Sequence, residues 1–263
     1  MENKVKIPIT AELASENKSS EYLFWVGSAG SYDDRVKKIS IAFSKLLVYC
    51  NIDFSILGTE ETDSGDVARR AGNEFLFQMQ AFQVIETFKM YHIKKVITCC
   101  PHDYNAFKNE YPDYGYTFEV YHHTEFIDML LSSGKLILRQ DNSPKEKITY
   151  HDPCYLGRGN GIYDAPRRIL SQISPNLVEM KRNKARSLCC GAGGAQMFKE
   201  AEKGKMEVYS LRANDVIEVE PEIVATACPF CMLMLTDGIK MSNNQDKIRI
   251  YDIAEILVSK LNI

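Results

Sequence analysis

The chain repeats itself, and this internal repeat constrains its fold more than any other feature of the sequence. Residues 98–103 read TCCPHD and residues 226–231 read TACPFC, a separation of 128 residues. Two further pairs of positions recur at a separation of 126 residues, namely Gly65 with Gly191 and Ser28 with Cys154. Agreement at three separate places predicts two tandem copies of one structural unit. We expect the first domain at residues 1–140 and the second at residues 141–263.

The alternation of short apolar segments with longer helical patterns predicts the fold class. Segments typical of strands are 22–26, 53–57, 95–98, 147–150, 223–226 and 247–250. Helical patterns are 36–48, 73–91, 126–131, 164–173, 205–216 and 253–261. This order favours an α/β fold in which two tandem, pseudo-repeated domains are each built on a short, mostly parallel sheet.

The composition excludes several classes of protein. Of the 263 residues, 45% are hydrophobic and 25% are charged, and the formal net charge is −3. These values are typical of a soluble globular protein, and they argue against nucleic acid as a partner because no basic excess is present to neutralise phosphates. No apolar stretch approaches the ~20 residues of a transmembrane helix, and the polar start does not resemble a signal peptide. We therefore expect a cytoplasmic protein without a transmembrane segment, which contacts a membrane only through a partner.

The cysteines are unevenly distributed between the two halves. In a reducing compartment, thiols are more often ligands, redox groups or buried side chains than disulfides. Five of the eight lie in second-half segments that contain Gly or Pro, which place thiols on turns near backbone amides: Cys154, Cys189, Cys190, Cys228 and Cys231. The repeat aligns them with Ser28, Asp63, Ser64, Cys100 and Asp103. Because oxygen donors replace thiolates poorly at a soft-metal site, we expect such a site in the second half.

The number of thiolates favours an iron–sulfur cluster over zinc. A structural zinc takes four ligands and would leave one of five sulfurs over, whereas a multi-iron cluster can use a fifth. The turn after the cysteine pair offers amides to a cluster from Gly191, Gly193 and Gly194. His151 precedes Cys154 and is expected to orient its turn as part of the cofactor site. A thioredoxin-like dithiol is the competing interpretation of the C-x-x-C motif.

The five-cysteine pattern resembles the cysteine-rich CCG domain of heterodisulfide reductase and its relatives. These relatives include iron–sulfur subunits associated with glycolate and lactate oxidation and with electron-transfer-flavoprotein-linked oxidoreductases. The resemblance covers nearly the whole chain, and further matching stretches are 25–27, 65–74, 122–123 and 151–158. It implies a noncubane [4Fe–4S] cluster held by Cys154, Cys189, Cys190, Cys228 and Cys231. The degenerate first motif argues against the two-cluster cleavage of a disulfide.

Two functions follow from this pattern. The first is an electron-transfer subunit of a heterodisulfide-reductase-like oxidoreductase, which exchanges electrons with a flavoprotein or a ferredoxin-like partner. The alternative is a non-catalytic binding or assembly subunit with a structural metal, zinc or iron–sulfur, which pairs with a paralogous CCG subunit that keeps both motifs. We assign no catalytic residue from the sequence.

Other candidate residues have simpler interpretations. Cys50 and Cys99 are expected to pack in the core as small hydrophobic residues. His122 and His123 are expected to cap a helix or form hydrogen bonds within the core. A remaining alternative for the first half is a mixed-donor metal site formed by Asp63, Cys100, His102 and Asp103.

Overall fold

The computed structural model describes residues 6–138, 146–200 and 203–263. These residues form two four-stranded sheets, and every pair of neighbouring strands is parallel. The fold is therefore α/β with two tandem, pseudo-repeated domains, as the sequence predicts. The predicted boundary between residues 140 and 141 lies outside the described residues.

The sheet of the first half has the strand order β2-β1-β3-β4. Its strands are β1 (Tyr22–Trp25), β2 (Phe54–Ser55), β3 (Lys95–Thr98) and β4 (Glu119–His122). The helices of this half are α1 (Thr10–Ser15), α2 (Gly27–Tyr32), α3 (Lys37–Tyr49), α4 (Asp66–Arg70), α5 (Glu74–Met90), α6 (Pro101–Asn105) and α7 (His123–Ser132). Leu23, Phe24 and Trp25 are all fully buried, because a central parallel strand is covered on both faces.

The sheet of the second half repeats this order as β6-β5-β7-β8. Its strands are β5 (Ile148–Tyr150), β6 (Leu177–Val178), β7 (Ile223–Thr226) and β8 (Arg249–Asp252). The helices are α8 (Asp164–Ile173), α9 (Val208–Glu218), α10 (Pro229–Met241) and α11 (Ile253–Leu261). The shared order places equivalent turns at equivalent sheet edges in the two halves.

Seven of the helices and strands named above were not predicted from the sequence, namely α1, α2, α4, α6, α10, β4 and β6. The last three have clear physical reasons. α10 begins with Pro229, which fits the first helical position because no N–H is needed there. Its first turns are apolar on several sides, so the amphipathic period that reveals a helix is weak. β6 has two residues and is too short for a pattern, while β4 is only partly buried and mixes polar with aromatic residues.

One hydrophobic core joins the two halves. Phe43 of α3 and Leu257 of α11 are fully buried in a single cluster that contains residues of both sheets. Arg35 donates to both carboxylate oxygens of Glu255, at 2.8 and 2.9 Å, and to the Ile250 carbonyl at 2.9 Å. A bidentate pair of this kind fixes orientation as well as distance. The packing therefore holds the carboxyl ends of the two sheets close to each other.

Candidate metal centre

The cysteines lie where the sequence places them, just after the carboxyl ends of strands. Cys100 follows β3, Cys154 follows β5 and Cys228 follows β7. Functional sites in open α/β sheets gather at this edge. Cys100 packs in the same buried cluster as Cys190, Cys228 and Cys231, so the two sheet edges meet at the thiols.

The five second-half cysteines form an unbroken run of thiol contacts. The Cys189 thiol is hydrogen-bonded to those of Cys154 and Cys190. The Cys231 thiol is hydrogen-bonded to those of Cys190 and Cys228. All five are free thiols, and the three inner ones are at most 3% exposed, while Cys154 and Cys189 are half-buried. The structure thus brings together all five cysteines that the sequence predicts as ligands.

Hydrogen bonding shifts the pKa values of these cysteines in opposite directions. Bonds from Cys154 and Cys190 hold the pKa of the Cys189 thiol well below its usual range, and the Gly191 N–H donates to its sulfur at 3.3 Å. Burial raises the pKa of Cys228, but hydrogen bonds from Cys231 and His102 outweigh it and lower the value to about 5. The pKa values of the donors Cys154 and Cys190 are raised by their bonds to Cys189. These contacts therefore favour the thiolate form, which binds a metal, at Cys189 and Cys228.

His151 adjoins the thiols in a fixed orientation. One ring nitrogen of His151 and the sulfurs of Cys190 and Cys231 lie within 4.8 Å of one another. Its Nδ1 accepts a hydrogen bond from Arg212 Nε at 3.0 Å. Burial, and then Arg212, hold the pKa of His151 well below its usual range, so the ring is neutral with its proton on Nε2. A part for His151 in binding the cofactor stays a prediction.

The loops around the cysteines are tied down by backbone and side-chain contacts. Asp152 accepts two hydrogen bonds from Arg167, at 2.7 and 2.9 Å, and one from the Lys184 N–H at 2.8 Å. Gly191 has a φ of +97°, a conformation that favours glycine. The amides of Gly193 and Gly194 make no hydrogen bond to a cysteine within the described ranges. Their predicted contact with a cofactor stays a prediction.

His102 of the first half also reaches the cysteines, which the sequence did not reveal. Its ring interacts with the side chain of Cys228, and its Nδ1 lies 2.9 Å from Asp66 Oδ2. Its ring stacks on Tyr155 with centroids 4.1 Å apart. The available signal was the repeat, which aligns His102 with Phe230 inside the C-x-x-C motif.

The aligned positions of the first half form a closed polar cluster. Asp103 accepts from Ser64 Oγ at 2.5 Å and from Trp25 Nε1 at 3.2 Å. Glu61 accepts the N–H groups of Val26 and Gly27 at 3.0 and 2.7 Å. A cavity lined by Gly27, Ser64 and Asp103, together with His102 and Phe230, has a volume of about 10 Å³, room for about one water molecule.

The described residues give no support to a mixed-donor metal site in the first half. Among them, a group of three His, Cys, Asp or Glu donors within 4.8 Å occurs once, at His151, Cys190 and Cys231. Burial raises the pKa of Asp103 to about 7 and that of Glu61 to about 8. Burial therefore favours the protonated form of both carboxyl groups.

The remaining candidates have structural roles, as predicted. Cys50 and Cys99 are buried in the hydrophobic core. His122 caps α7, since its ring accepts from the Thr124 N–H at 3.4 Å. His123 Nε2 lies 3.0 Å from Asp252 Oδ1 and joins the halves. No helix in the described part of the chain has the length and apolar character needed to cross a membrane.

Comparison with known proteins places this site in context. The family model of the CCG cysteine-rich domain matches residues 148–236. The chain is 47% identical over 257 residues to the probable iron–sulfur-binding oxidoreductase FadF of Bacillus subtilis. The aligned region covers 97% of this chain and 36% of that protein. The chain is 41% identical over 251 residues to EtfAB:quinone oxidoreductase of Syntrophomonas wolfei, with 93% and 35% covered. It is 30% identical over 262 residues to one of the subunits of the dihydromethanophenazine:CoB–CoM heterodisulfide reductase of Methanosarcina barkeri, with 97% and 62% covered. The chain thus spans about a third of the length of the first two relatives.

Proposed function

Because this chain belongs to the iron–sulfur proteins that carry the CCG cysteine-rich domain, we propose that it is an electron-transfer module with one cluster in its second half. The observation that carries the proposal is the unbroken run of thiol contacts among the second-half cysteines. The proposed ligands are Cys154, Cys189, Cys190, Cys228 and Cys231. Relatives that are named as oxidoreductases support a redox role over a purely structural one.

The residues present fit an iron–sulfur cluster. All five donors are soft sulfur atoms, free of disulfides, and hydrogen bonds lower the pKa values of two of them, Cys189 and Cys228. A tetrahedral zinc would leave one of these five sulfurs without a metal. On the resemblance to heterodisulfide reductase, we take the cluster to be a noncubane [4Fe–4S] cluster, with zinc as the competing occupant.

The residues of the chain would hold the cluster and control its surroundings. When bound, such a cluster supplies one-electron transfer. Phe230 and Ala192 are buried against the inner cysteines and exclude water from them, which lowers the local dielectric. Cys154 and Cys189 are half-buried and mark the side that faces solvent. A flavoprotein or ferredoxin-like partner would approach this side, because electron transfer favours a short distance between centres.

The activity of the whole oxidoreductase is part of this proposal. The chain covers 36% of its Bacillus relative and 35% of its Syntrophomonas relative, so other parts of such proteins have no counterpart in it. We assign electron transfer to this chain, and we propose that its partners carry out the chemical reaction on the substrate. The cytoplasmic location stays a prediction.

Anaerobic purification followed by metal analysis tests the proposal. We expect a brown protein with about four iron and four sulfide per chain, and an electron paramagnetic resonance signal that appears or disappears on reduction. The Cys190→Ser variant should lose the iron, while Cys50→Ser, which changes a buried thiol of the core, should keep it. A colourless protein with one zinc per chain would contradict the proposal and support the assembly role.

A further inference from the structure

The first half supplies one polar side chain to the cysteines of the second half. His102 lies in the turn at the start of α6 and is 7% exposed. Its ring interacts with the side chain of Cys228, whose sulfur is one of the proposed ligands. This contact connects residues that are 126 positions apart in the chain, so it depends on the packing between the halves.

The orientation of the His102 ring is fixed by its other neighbours. Asp66 Oδ2 lies 2.9 Å from Nδ1, and Asp66 Oδ1 accepts from Arg70 Nε at 3.0 Å. Arg70 in turn is paired with Glu110. Tyr155 stacks on one face of the imidazole. With Nδ1–H directed at a carboxylate, Nε2 is the nitrogen left for Cys228.

The chemistry of the pair makes the histidine the donor. A thiolate sulfur that binds iron has no proton to give, so a hydrogen bond between this sulfur and an imidazole runs from a ring N–H to the sulfur. Nδ1 faces Asp66, and the donor to Cys228 is therefore Nε2–H. A carboxylate that steers a histidine in this way is a common device around metal sites.

The repeat shows that this arrangement is one-sided. His102 aligns with Phe230, and the two rings meet edge to face with centroids 5.2 Å apart. The side chain of Phe230 has no hydrogen-bond donor. In the first half, Ser64 already donates a hydrogen bond to Asp103. Of the two aligned side chains, only His102, in the first half, can therefore donate an N–H hydrogen bond.

We propose that Asp66 and His102 are positioning residues that complete the metal centre across the two halves. Asp66 orients His102, and His102 donates an N–H···S hydrogen bond to Cys228 that raises the reduction potential of the bound cluster. The physical reason is that a donor to a ligand sulfur stabilises the more electron-rich, reduced state. The inference rests on the proposed function, since it requires a cluster on Cys228.

A redox titration followed by electron paramagnetic resonance tests this role, with iron and sulfide counted in each sample. His102→Phe introduces the residue type found at the aligned position, Phe230, and removes the imidazole N–H donor. We expect it to retain the cluster and to disfavour one-electron reduction by about tenfold, which is a downward shift of about 59 mV. Asp66→Asn keeps the imidazole but weakens its orientation, so the shift should have the same sign and be smaller. His102→Gln, whose amide can donate, should restore part of the potential.

Matched controls separate this inference from the proposed function. His92→Gln changes an exposed histidine and should leave the potential unchanged. If His102→Phe loses its iron, Asp66→Asn and His102→Gln still report the potential. Wild-type protein without iron would defeat the proposed function. Wild-type protein with iron, together with unchanged potentials and spectra in all loaded variants of His102 and Asp66, would overturn this inference alone.

Discussion

Gly65 and Gly191 lie at the same turn in the two halves, with φ values of +83° and +97°, but they face different atoms. The Gly65 N–H donates to an Asp63 carboxylate oxygen at 2.8 Å, whereas the Gly191 N–H donates to the Cys189 sulfur at 3.3 Å. The longer distance reflects the larger sulfur atom. The backbone that presents a ligand is the same in both halves, and the identity of the donor atom decides whether the turn suits a soft metal.

The next aligned positions differ in the same way. Ser64 donates to Asp103, while Cys190 is hydrogen-bonded to Cys231. Asp103 also accepts a hydrogen bond from Trp25, so one carboxyl group accepts the hydrogen bonds of both Ser64 and Trp25. The thiols of the second half can form hydrogen bonds with one another only while some of them keep their protons, and a bound metal would displace those protons. One half is therefore complete as a polar cluster, and the other is arranged for a metal.

The largest expected effect comes from substitutions at an aligned pair. Cys231→Ala should reduce the iron content by more than about tenfold, because it removes a ligand from the buried part of the site. Asp103→Ala, at the aligned position, should leave the iron content unchanged. Iron and sulfide assays on anaerobically purified protein measure both. Equal loss of iron in the two variants would break the comparison between the halves.

The pH dependence of stability should reveal the closed cluster of the first half. Burial raises the pKa of Glu61 from 4.5 to about 8. Below pH 4.5 both the folded and the unfolded chain hold this proton. As the pH rises towards 8 the unfolded chain releases it first, so the free energy of unfolding falls, by up to about 5 kcal/mol.

Glu61→Gln cannot titrate and should flatten this fall, although Asp103 retains a similar contribution of its own. Urea denaturation of metal-free protein at several pH values measures the slope. Glu86→Gln, on the exposed side of α5, is the matched control and should keep the wild-type slope. A Glu61→Gln slope equal to that of the wild type would show that Glu61 holds no buried proton.

A smaller effect is expected from opening the polar cluster itself. Asp103→Ala leaves Trp25 Nε1 and Ser64 Oγ without their acceptor in a buried site. Each buried polar group that loses its partner costs about 1–3 kcal/mol, so the loss of the acceptor by both groups should lower the free energy of unfolding by at least about 2 kcal/mol. Asp103→Asn keeps one acceptor and should lose less. A loss below about 0.5 kcal/mol in Asp103→Ala would contradict the closed cluster.

The smallest effect is expected at the exposed surface between the halves. Arg168 pairs with Asp128 at 2.6 Å, but its side chain is 58% exposed. Arg168→Ala should therefore change the free energy of unfolding by less than about 1 kcal/mol. Arg35→Ala, which breaks the half-buried bidentate pair with Glu255, should cost more. Equal effects in the two variants would show that burial does not distinguish the contacts that join the halves.

Local features of the sequence predicted much of the fold and the site. Apolar segments located six of the eight described strands, and Gly and Pro next to the cysteines located the turns that carry them. These signals work because a turn and a strand are determined largely by nearby residues. The repeat predicted that the two halves share one plan, and the sheet orders agree with it.

Other features depend on contacts between distant parts of the chain and were not predictable. The contact between His102 and Cys228 exists only because the two sheet edges meet. The Trp25–Asp103 bond, which closes the first-half cluster, connects residues that carry no motif in common. α10 was missed because burial on several sides removes the amphipathic period.

X-ray diffraction from anaerobic crystals of the protein, recorded above and below the iron absorption edge, tests the central claim most directly. We expect strong anomalous density from iron among Cys154, Cys189, Cys190, Cys228 and Cys231. We expect none among Ser28, Asp63, Ser64 and Asp103 of the first half. Iron in both halves, or a peak at the zinc edge in place of the iron peak, would contradict the account.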